Sequence, residues 1–164
     1  MSAAGLPRSA RRVQEALRAL GLPGEVRELD DSTRTAPEAA AAVGCELGAI
    51  VKSLVFRGAG TGDAVLALVS GDNRADEARI AARVGETVLR ADADFVRAAT
   101  GYAIGGVPPV GHPAPLRTLV DEDLLRFQTV WAAAGTPRAV FPIDPRALAR
   151  AAGGELAAVG VRAG

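Results

Sequence analysis

Residues 50–69 constrain the fold of this chain more than any other segment. Residues 50–56 and 64–69 are rich in β-branched and large apolar side chains, and three glycines lie between them in residues 58–62. Such a composition predicts two strands joined by a flexible turn, because branched side chains favour extended backbone. The chain is therefore predicted to form a β-hairpin against which its other elements pack.

Capping signals and hydrophobic periodicity predict helices on both sides of the hairpin. The first helix, residues 9–20, has Ser9 as N-cap, Gly21 as terminator and a buried stripe of Val13, Leu17 and Leu20. Further helices are predicted at residues 36–43 behind the capping box Thr35-Ala36-Pro37-Glu38, over about ten residues after Ser70-Gly71-Asp72 and ending near Gly85, at residues 93–100 after Asp92, at residues 121–127, and at residues 145–152 after Asp144.

Short strands complete the prediction, at residues 25–29, 86–89, 116–120, 129–132, 138–141 and 155–159. Hairpins and helical crossovers occur together, which is typical of an α+β fold with a mixed sheet. Internal repeats and an interdomain linker are both missing, so a single domain over residues 1–164 is expected.

Composition limits the environment and the partners. Hydrophobic residues make up 49% of the chain and charged residues 23%, which is a globular composition, and no apolar run is long enough to span a bilayer. Arg8, Arg11 and Arg12 are not followed by the apolar segment of a signal peptide. A single cysteine, Cys45, suits a reducing cytoplasm. The formal net charge of zero predicts that any contact with RNA is small and local, or helped by a partner.

The sequence lacks the residues that several kinds of catalytic or binding site require. One cysteine and one histidine cannot form a Cys/His metal cluster, and the sequence contains neither a Walker A loop nor a GxSxG elbow. His112 would have to serve any Ser-His-Asp triad from within a glycine- and proline-rich loop, where it more readily lines a pocket or faces solvent. Cys45 is predicted to be a small core residue and not a nucleophile.

Lys52 is the only lysine beside 18 arginines. Strand alternation places it on one face with Ile50, Leu54 and Phe56, opposite Val51, Ser53 and Val55. Its stem could extend to solvent, which would give it no special role. Alternatively it directs a cation into a cleft, where a point charge suits a phosphate or a developing oxyanion. Lysine offers a compact ammonium on a thin stem, whereas arginine presents a broad planar fork.

Two other segments are candidates for binding a ligand, and each also has a purely structural explanation. Residues 101–112 hold glycines that allow close approach of backbone N–H groups and prolines that fix the loop, although a rigid structural crossover would look similar. Ser70-Gly71-Asp72 and the acidic residues after it are explained most simply as a helix cap with a solvated first turn.

These three segments, in this order, resemble the YbaK family of aminoacyl-tRNA deacylases and prolyl-tRNA synthetase editing domains. The resemblance covers about residues 35–159. Residues 50–55 look like the strand with the family's key lysine, which is typically followed by Thr or Ser. Ser70-Gly71-Asp72 looks like the second segment, and Thr100-Gly101-Tyr102 with residues 105–111 looks like the glycine–proline loop, including its Gly-x-x-x-Pro spacing at Gly105 and Pro109. Asp121 and residues 141–144 fall in the closing strands.

The resemblance implies a curved, largely antiparallel sheet surrounded by helices. It also implies a cytoplasmic hydrolase that cleaves the ester of a mischarged tRNA without a metal, cofactor or covalent nucleophile. Its expected partners are a tRNA acceptor end and, as a second candidate, a synthetase, with no membrane and no DNA. By resemblance the catalytic residues are Lys52, Gly105 and Gly106, and the substrate-binding residues are Val51, Ser53, Ser70, Gly71, Asp72, Thr100, Gly101, Pro109, Val110, Gly111 and His112.

Two questions stay open at the level of sequence. Proline tRNA is the expected substrate, but the amino acid removed could be alanine, serine, threonine or cysteine, because small side chains are hard to sort by binding. The same cleft could also belong to a non-catalytic adaptor that binds a tRNA end or a nucleotide. A purely structural domain would instead show a filled, apolar surface around Lys52.

Overall fold

A computed structural model describes residues 5–31 and 35–163. In chain order its elements are α1 (Arg8–Ala19), β1 (Arg27–Glu28), α2 (Ala36–Val43), a 3-10 helix (Leu47–Ala49), β2 (Val51–Gly58), β3 (Ala64–Ser70), β4 (Asn73–Ala75), α3 (Glu77–Val84), β5 (Val88–Arg90), α4 (Ala93–Thr100), β6 (Arg117–Asp121), a second 3-10 helix (Glu122–Arg126), β7 (Val130–Ala133), β8 (Ala139–Ile143), α5 (Pro145–Ala151), β9 (Glu155–Ala157) and β10 (Gly160–Arg162). The limits of the predicted domain, residues 1 and 164, lie outside the described residues.

The predicted hairpin forms the centre of a five-stranded mixed sheet with the order β5-β2-β3-β6-β9. Strands β2 and β3 pair antiparallel from Val51↔Ser70 to Arg57↔Ala64, and β5 adds antiparallel to β2. Strands β6 and β9 extend the other side in parallel. The α+β prediction with a mixed sheet is confirmed.

Side chains of the hairpin alternate between two apolar cores. Phe56, Val65 and Val69 pack with Ile80 of α3 on one face of the sheet. Val51, Val55, Leu66 and Leu68 join the larger core on the other face, where α1 contributes Val13 and Leu17. Because both faces are covered, the interior residues of β3 are fully buried.

A second, antiparallel sheet in the order β1-β8-β7 lies beside the start of β2. A single parallel bridge between Ile50 and Trp131 joins it to the central sheet. The predicted strand pair around Gly135 is confirmed as β7 and β8. Strands β4 and β10 form a separate antiparallel pair.

Helix caps follow the sequence at α2, α4 and α5 but not at α1. The Thr35–Glu38 capping box is complete, and Asp92 and Asp144 accept hydrogen bonds from the first turns of α4 and α5. The prediction of Ser9 as an N-cap is wrong, because α1 already begins at Arg8 behind Pro7 and Ser9 lies within its first turn. Leu20 is also misassigned to the buried stripe: it follows the last helical turn and is 49% exposed.

The segment after β3 corrects a second prediction. A helix does not follow Ser70-Gly71-Asp72 directly, since β4 intervenes and Asp76, not Asp72, caps α3. Sequence patterns did not predict β4, because its extended form depends on pairing with the distant β10. The predicted strand 155–159 is likewise shorter, ends at Ala157 and is followed by β10. The helix predicted at residues 121–127 is a 3-10 helix.

None of the helices in residues 5–31 and 35–163 is both long enough and apolar enough to span a bilayer.

Candidate active site

An open cavity of about 380 Å³ lies at the start of β2. Its walls come from the first turn of α2, the beginning of β2, the loop before β6, and strands β7 and β8. The residues lining it are Thr35, Ala36, Pro37, Ala39, Ile50, Val51, Lys52, Ser53, Leu54, Gly71, Ile104, Gly105, Val107, Ala133 and Val140. The surroundings of Lys52 are therefore not the filled apolar surface expected of a purely structural domain.

Lys52 supplies the cation of this cavity. Its side chain is half-buried, and its Nζ donates a hydrogen bond to the main-chain carbonyl of Asn73 on β4. Burial lowers the pKa of Lys52, and the nearby charge of Asp72 opposes this shift. A partly desolvated ammonium interacts more strongly with an anion than a solvated one.

The outer edge of β2 is open beside the cavity. On that side, Ile50 bridges to Trp131 and the Val55 carbonyl accepts from Ala91 N–H at 3.2 Å. Between Ile50 and Val55, no strand of the described chain pairs with this edge of β2. Backbone groups in a ladder alternate between edges, so Ser53 directs its main-chain groups to the same edge as Val55. This edge can offer a ligand both a donor and an acceptor.

Gly105 and Gly106 have different environments although they are neighbours. Gly105 lines the cavity with a φ of 92°, and its N–H has no acceptor among residues 5–31 and 35–163. Gly106 is buried; its N–H donates to Ala103 O at 3.0 Å and its carbonyl accepts from Gly135 N–H at 2.9 Å. A Cβ on Gly106 would lie 2.9 Å from backbone atoms of Gly135. Gly105 is thus available to a ligand, whereas Gly106 fixes the loop.

The turn after β3 is held tightly against the cavity. Gly71 lines the cavity, and a Cβ there would collide with the carbonyl oxygen of Leu47. Ser70 is fully buried and its Oγ donates to Gly48 O at 2.5 Å. The turn therefore accepts no side chain at position 71 without moving.

Asp72 lies beneath this turn between two arginines. It pairs with Arg126 at 3.0 Å and with Arg162 of β10. Burial raises the pKa of its carboxyl, but hydrogen bonds from Arg126 and Ser70 outweigh burial, and the net direction is downward. Asp72 therefore stays an anion that neutralises part of the positive charge near Lys52.

Three residues beneath the site were not among the predicted site residues: Asn73, Asp121 and Asp123. Asp121 accepts from Ser70 N–H at 3.0 Å and from Asn73 Nδ2 at 2.9 Å. Asn73 Nδ2 also donates to Asp123 at 2.8 Å. A carboxylate directly after the apolar pair Leu119-Val120 is the sequence signal that could have indicated this network.

The remaining predicted site residues do not line the Lys52 cavity. Pro109, Val110, Gly111 and His112 line a second cavity of about 440 Å³ near the end of α5. Burial lowers the pKa of His112, whose Nε2 lies 2.7 Å from Pro108 O. His112 thus lines a different cavity from that of Lys52.

Thr100, Gly101 and Cys45 also lie apart from Lys52. The Oγ1 of Thr100 donates to Val96 O at 2.7 Å inside the core, and Gly101 ends α4 beside Pro113. Cys45 packs against a small apolar cluster that includes Ile50, and burial raises the pKa of its thiol. The contacts of these three residues are those of packing and helix termination, and none of the three lines the Lys52 cavity.

Among the residues that the structure describes, no group of three or more His, Cys, Asp or Glu side chains is placed to hold a metal ion.

Comparisons with known proteins agree on the family. The family model for the aminoacyl-tRNA editing domain matches residues 30–151. Uncharacterized protein YwhH of Bacillus subtilis (strain 168) is 33% identical over 124 residues, which cover 76% of this chain and 78% of that protein.

Two crystal structures have the same fold. One is described as a proposed trans-editing enzyme for prolyl-tRNA synthetase; it is 52% identical with a TM-score of 0.90, covering 96% of this chain and 99% of that chain. The other, of a hypothetical protein, is 33% identical with a TM-score of 0.85, covering 92% and 99%. The resemblance to YbaK-like editing proteins is confirmed, and the chain belongs to the aminoacyl-tRNA editing domain family.

Proposed function

We propose that this protein is a trans-editing deacylase, which hydrolyses the ester between a wrong amino acid and the terminal adenosine of a tRNA. The observation that carries this proposal is an open cavity lined both by Lys52, a partly desolvated cation, and by Gly105, whose N–H has no acceptor among residues 5–31 and 35–163. Proline tRNA carrying alanine, serine, threonine or cysteine is the proposed substrate. The choice of tRNA is supported by the 52% identical structure, which is described as a proposed trans-editing enzyme for prolyl-tRNA synthetase.

Lys52 and Gly105 have separate roles in this proposal. Lys52 binds the terminal adenosine or its phosphate and holds the ester in one orientation. The Gly105 N–H donates to the ester carbonyl oxygen as negative charge develops on it, and preorganised donors of this kind stabilise the transition state. Water adds to the carbonyl carbon, the ester bond breaks, and the proton ends on the released ribose hydroxyl. Neither a metal nor a covalent enzyme intermediate takes part.

The size of the cavity supports a small ligand portion. A volume of about 380 Å³ lies at the lower end of the range for small-molecule sites and can take an aminoacyl group with part of its nucleoside. A net charge of zero also argues against a long contact with RNA. The protein would thus recognise the end of the tRNA, with a synthetase as a candidate second partner.

Deacylation of charged tRNA tests the proposal. Proline tRNA carrying Ala, Ser, Thr, Cys or Pro is incubated with the protein in the presence of EDTA, and the surviving ester is measured against time. We expect at least one small aminoacyl ester to be lost well above the spontaneous rate, with prolyl-tRNA spared. If every ester is hydrolysed at or below its spontaneous rate, the enzymatic function is rejected. The non-catalytic adaptor is then favoured, since a binder shields the ester.

A further inference from the structure

The ammonium of Lys52 is bound by a residue on a strand that does not pair with β2. Nζ donates to the main-chain carbonyl of Asn73 on β4, whereas β2 pairs with β3 and β5. A lysine side chain has a long flexible stem, and its rotamer freedom must be lost if the charge is to occupy one position. Whatever fixes the Asn73 carbonyl therefore also fixes the ammonium.

Two carboxylates fix Asn73. Its side chain is fully buried and donates through Nδ2 to Asp121 at 2.9 Å and to Asp123 at 2.8 Å. Asp121 is only 1% exposed and additionally accepts the N–H groups of Ser70 and Asp123, each at 3.0 Å. A buried carboxylate with three donors is costly to displace. It ties both ends of the turn 70–73 to the end of β6.

The orientation of the Asn73 amide has a cost of its own. Within the described part of the chain, Asn73 Oδ1 is buried without a hydrogen-bond partner. Buried polar atoms are normally paired, and an unpaired one calls for an explanation. Both carboxylates require the amide nitrogen to face them, so the backbone of Asn73 is held in one place at the expense of its oxygen.

We propose that Asn73 and Asp121 are positioning residues that hold Lys52 at the cavity through the Asn73 carbonyl. This inference rests on the proposed function, in which Lys52 binds the end of the tRNA. Neither side chain touches the substrate; both act on the ester through the lysine.

The first test is kinetic. Asn73→Ala removes the amide that both carboxylates hold, and we expect kcat/KM for deacylation to fall by at least about tenfold, because small displacements of a binding group cost large factors in rate. Asp121→Asn is a second variant of nearly the same volume, and it places an amide nitrogen against the donors of Ser70 and Asn73. The same loss is expected, with each rate referred to the folded fraction.

The second test does not require catalysis. Lys52 is the only lysine, so protein grown with ¹³C-labelled lysine gives a single lysine side-chain signal. In Asn73→Ala the ammonium should leave its anchor for solvent, and the pKa read from this signal should rise towards the ordinary lysine value. Asp121→Asn should change the chemical shift of the Lys52 signal.

A buried polar residue elsewhere provides the control. Gln14 is 3% exposed and accepts from Val26 N–H at 2.8 Å, far from Lys52 in the chain and outside its cavity. Gln14→Ala should lower stability while leaving kcat/KM and the lysine signal unchanged. The inference is overturned if a folded Asn73 or Asp121 variant keeps either wild-type kcat/KM or the wild-type lysine signal. If wild-type protein deacylates nothing, the proposed function fails, and the lysine signal alone still decides the positioning.

Discussion

The side chain of Lys52 is compact enough to occupy a position that an arginine side chain would not fit. Lys52 lines the cavity, and its single compact ammonium donates to the Asn73 carbonyl. A planar guanidinium is broader and presents its donors in a fixed fork, so it cannot take this position unchanged.

Lys52→Ala should therefore abolish deacylation with the fold intact, and Lys52→Arg should not restore it. We expect a loss of at least about a hundredfold in kcat/KM, the usual effect of removing one preorganised stabilising group. Kinetics and thermal unfolding are measured together, with Arg146→Lys on the exposed surface of α5 as the matched exchange. Near-wild-type turnover by Lys52→Arg would rule out a specific need for lysine.

Gly106 shows how a backbone position is fixed by close approach. Its φ is not positive, so the requirement for glycine comes from close packing against the backbone of Gly135 and Thr136. Gly106→Ala should destabilise the protein by about 1–3 kcal/mol, as overpacking does, and displace Gly105. Urea unfolding measures the cost. Gly60→Ala is the matched control, because a Cβ there meets only a Glu86 carboxylate oxygen at 3.2 Å. Equal stability of the two variants would show that the loop tolerates the extra methyl group.

Among the helices, α2 connects local sequence directly to the site. Its first turn forms one wall of the cavity, and the Thr35–Glu38 capping box fixes where that turn begins. Sequence alone predicted this helix from start to end, because caps, proline and Gly44 are local signals.

Thr35→Ala should cost about 1 kcal/mol of stability through loss of the cap and should raise KM for deacylation, since the wall moves. Asp144→Ala removes the corresponding cap of α5, which does not line the Lys52 cavity. We expect a similar loss of stability there without any change in KM. Denaturant unfolding and steady-state kinetics check both variants, and an unchanged KM in Thr35→Ala would separate the cap from the site.

Local patterns predicted the hairpin, most of the helices and the position of Lys52 on β2. They did not predict β4 or the anchoring carbonyl, because β4 is extended only through its pairing with β10, more than 80 residues away. The Asn73–Asp121 contact likewise joins residues 48 positions apart. Proximity along the glycine–proline loop was also misleading: Gly105 lines the same cavity as Lys52, but His112 lines another cavity.

Stability of the whole protein should respond to pH through His112, its only histidine. Burial lowers the pKa of this group in the folded state, so above about pH 6.5 it is neutral whether folded or unfolded. Below that, the unfolded chain binds the proton first, and the free energy of unfolding falls until the folded pKa is reached.

Urea unfolding at pH 7.5 and 5.5 measures this loss, and His112→Asn should reduce the difference between the two values. An equal pH dependence in the wild type and the variant would assign the effect to other groups.

Pairing of β4 with β10 also has a consequence for synthesis on the ribosome. The chain emerges from its N-terminus, so the hairpin with Lys52 is available long before residues 160–162. Until those residues leave the exit tunnel, β4 lacks its partner strand and Asp72 lacks Arg162. The lysine anchor is consequently completed only when nearly all of the chain described here has been translated, and a nascent chain would not carry a finished site.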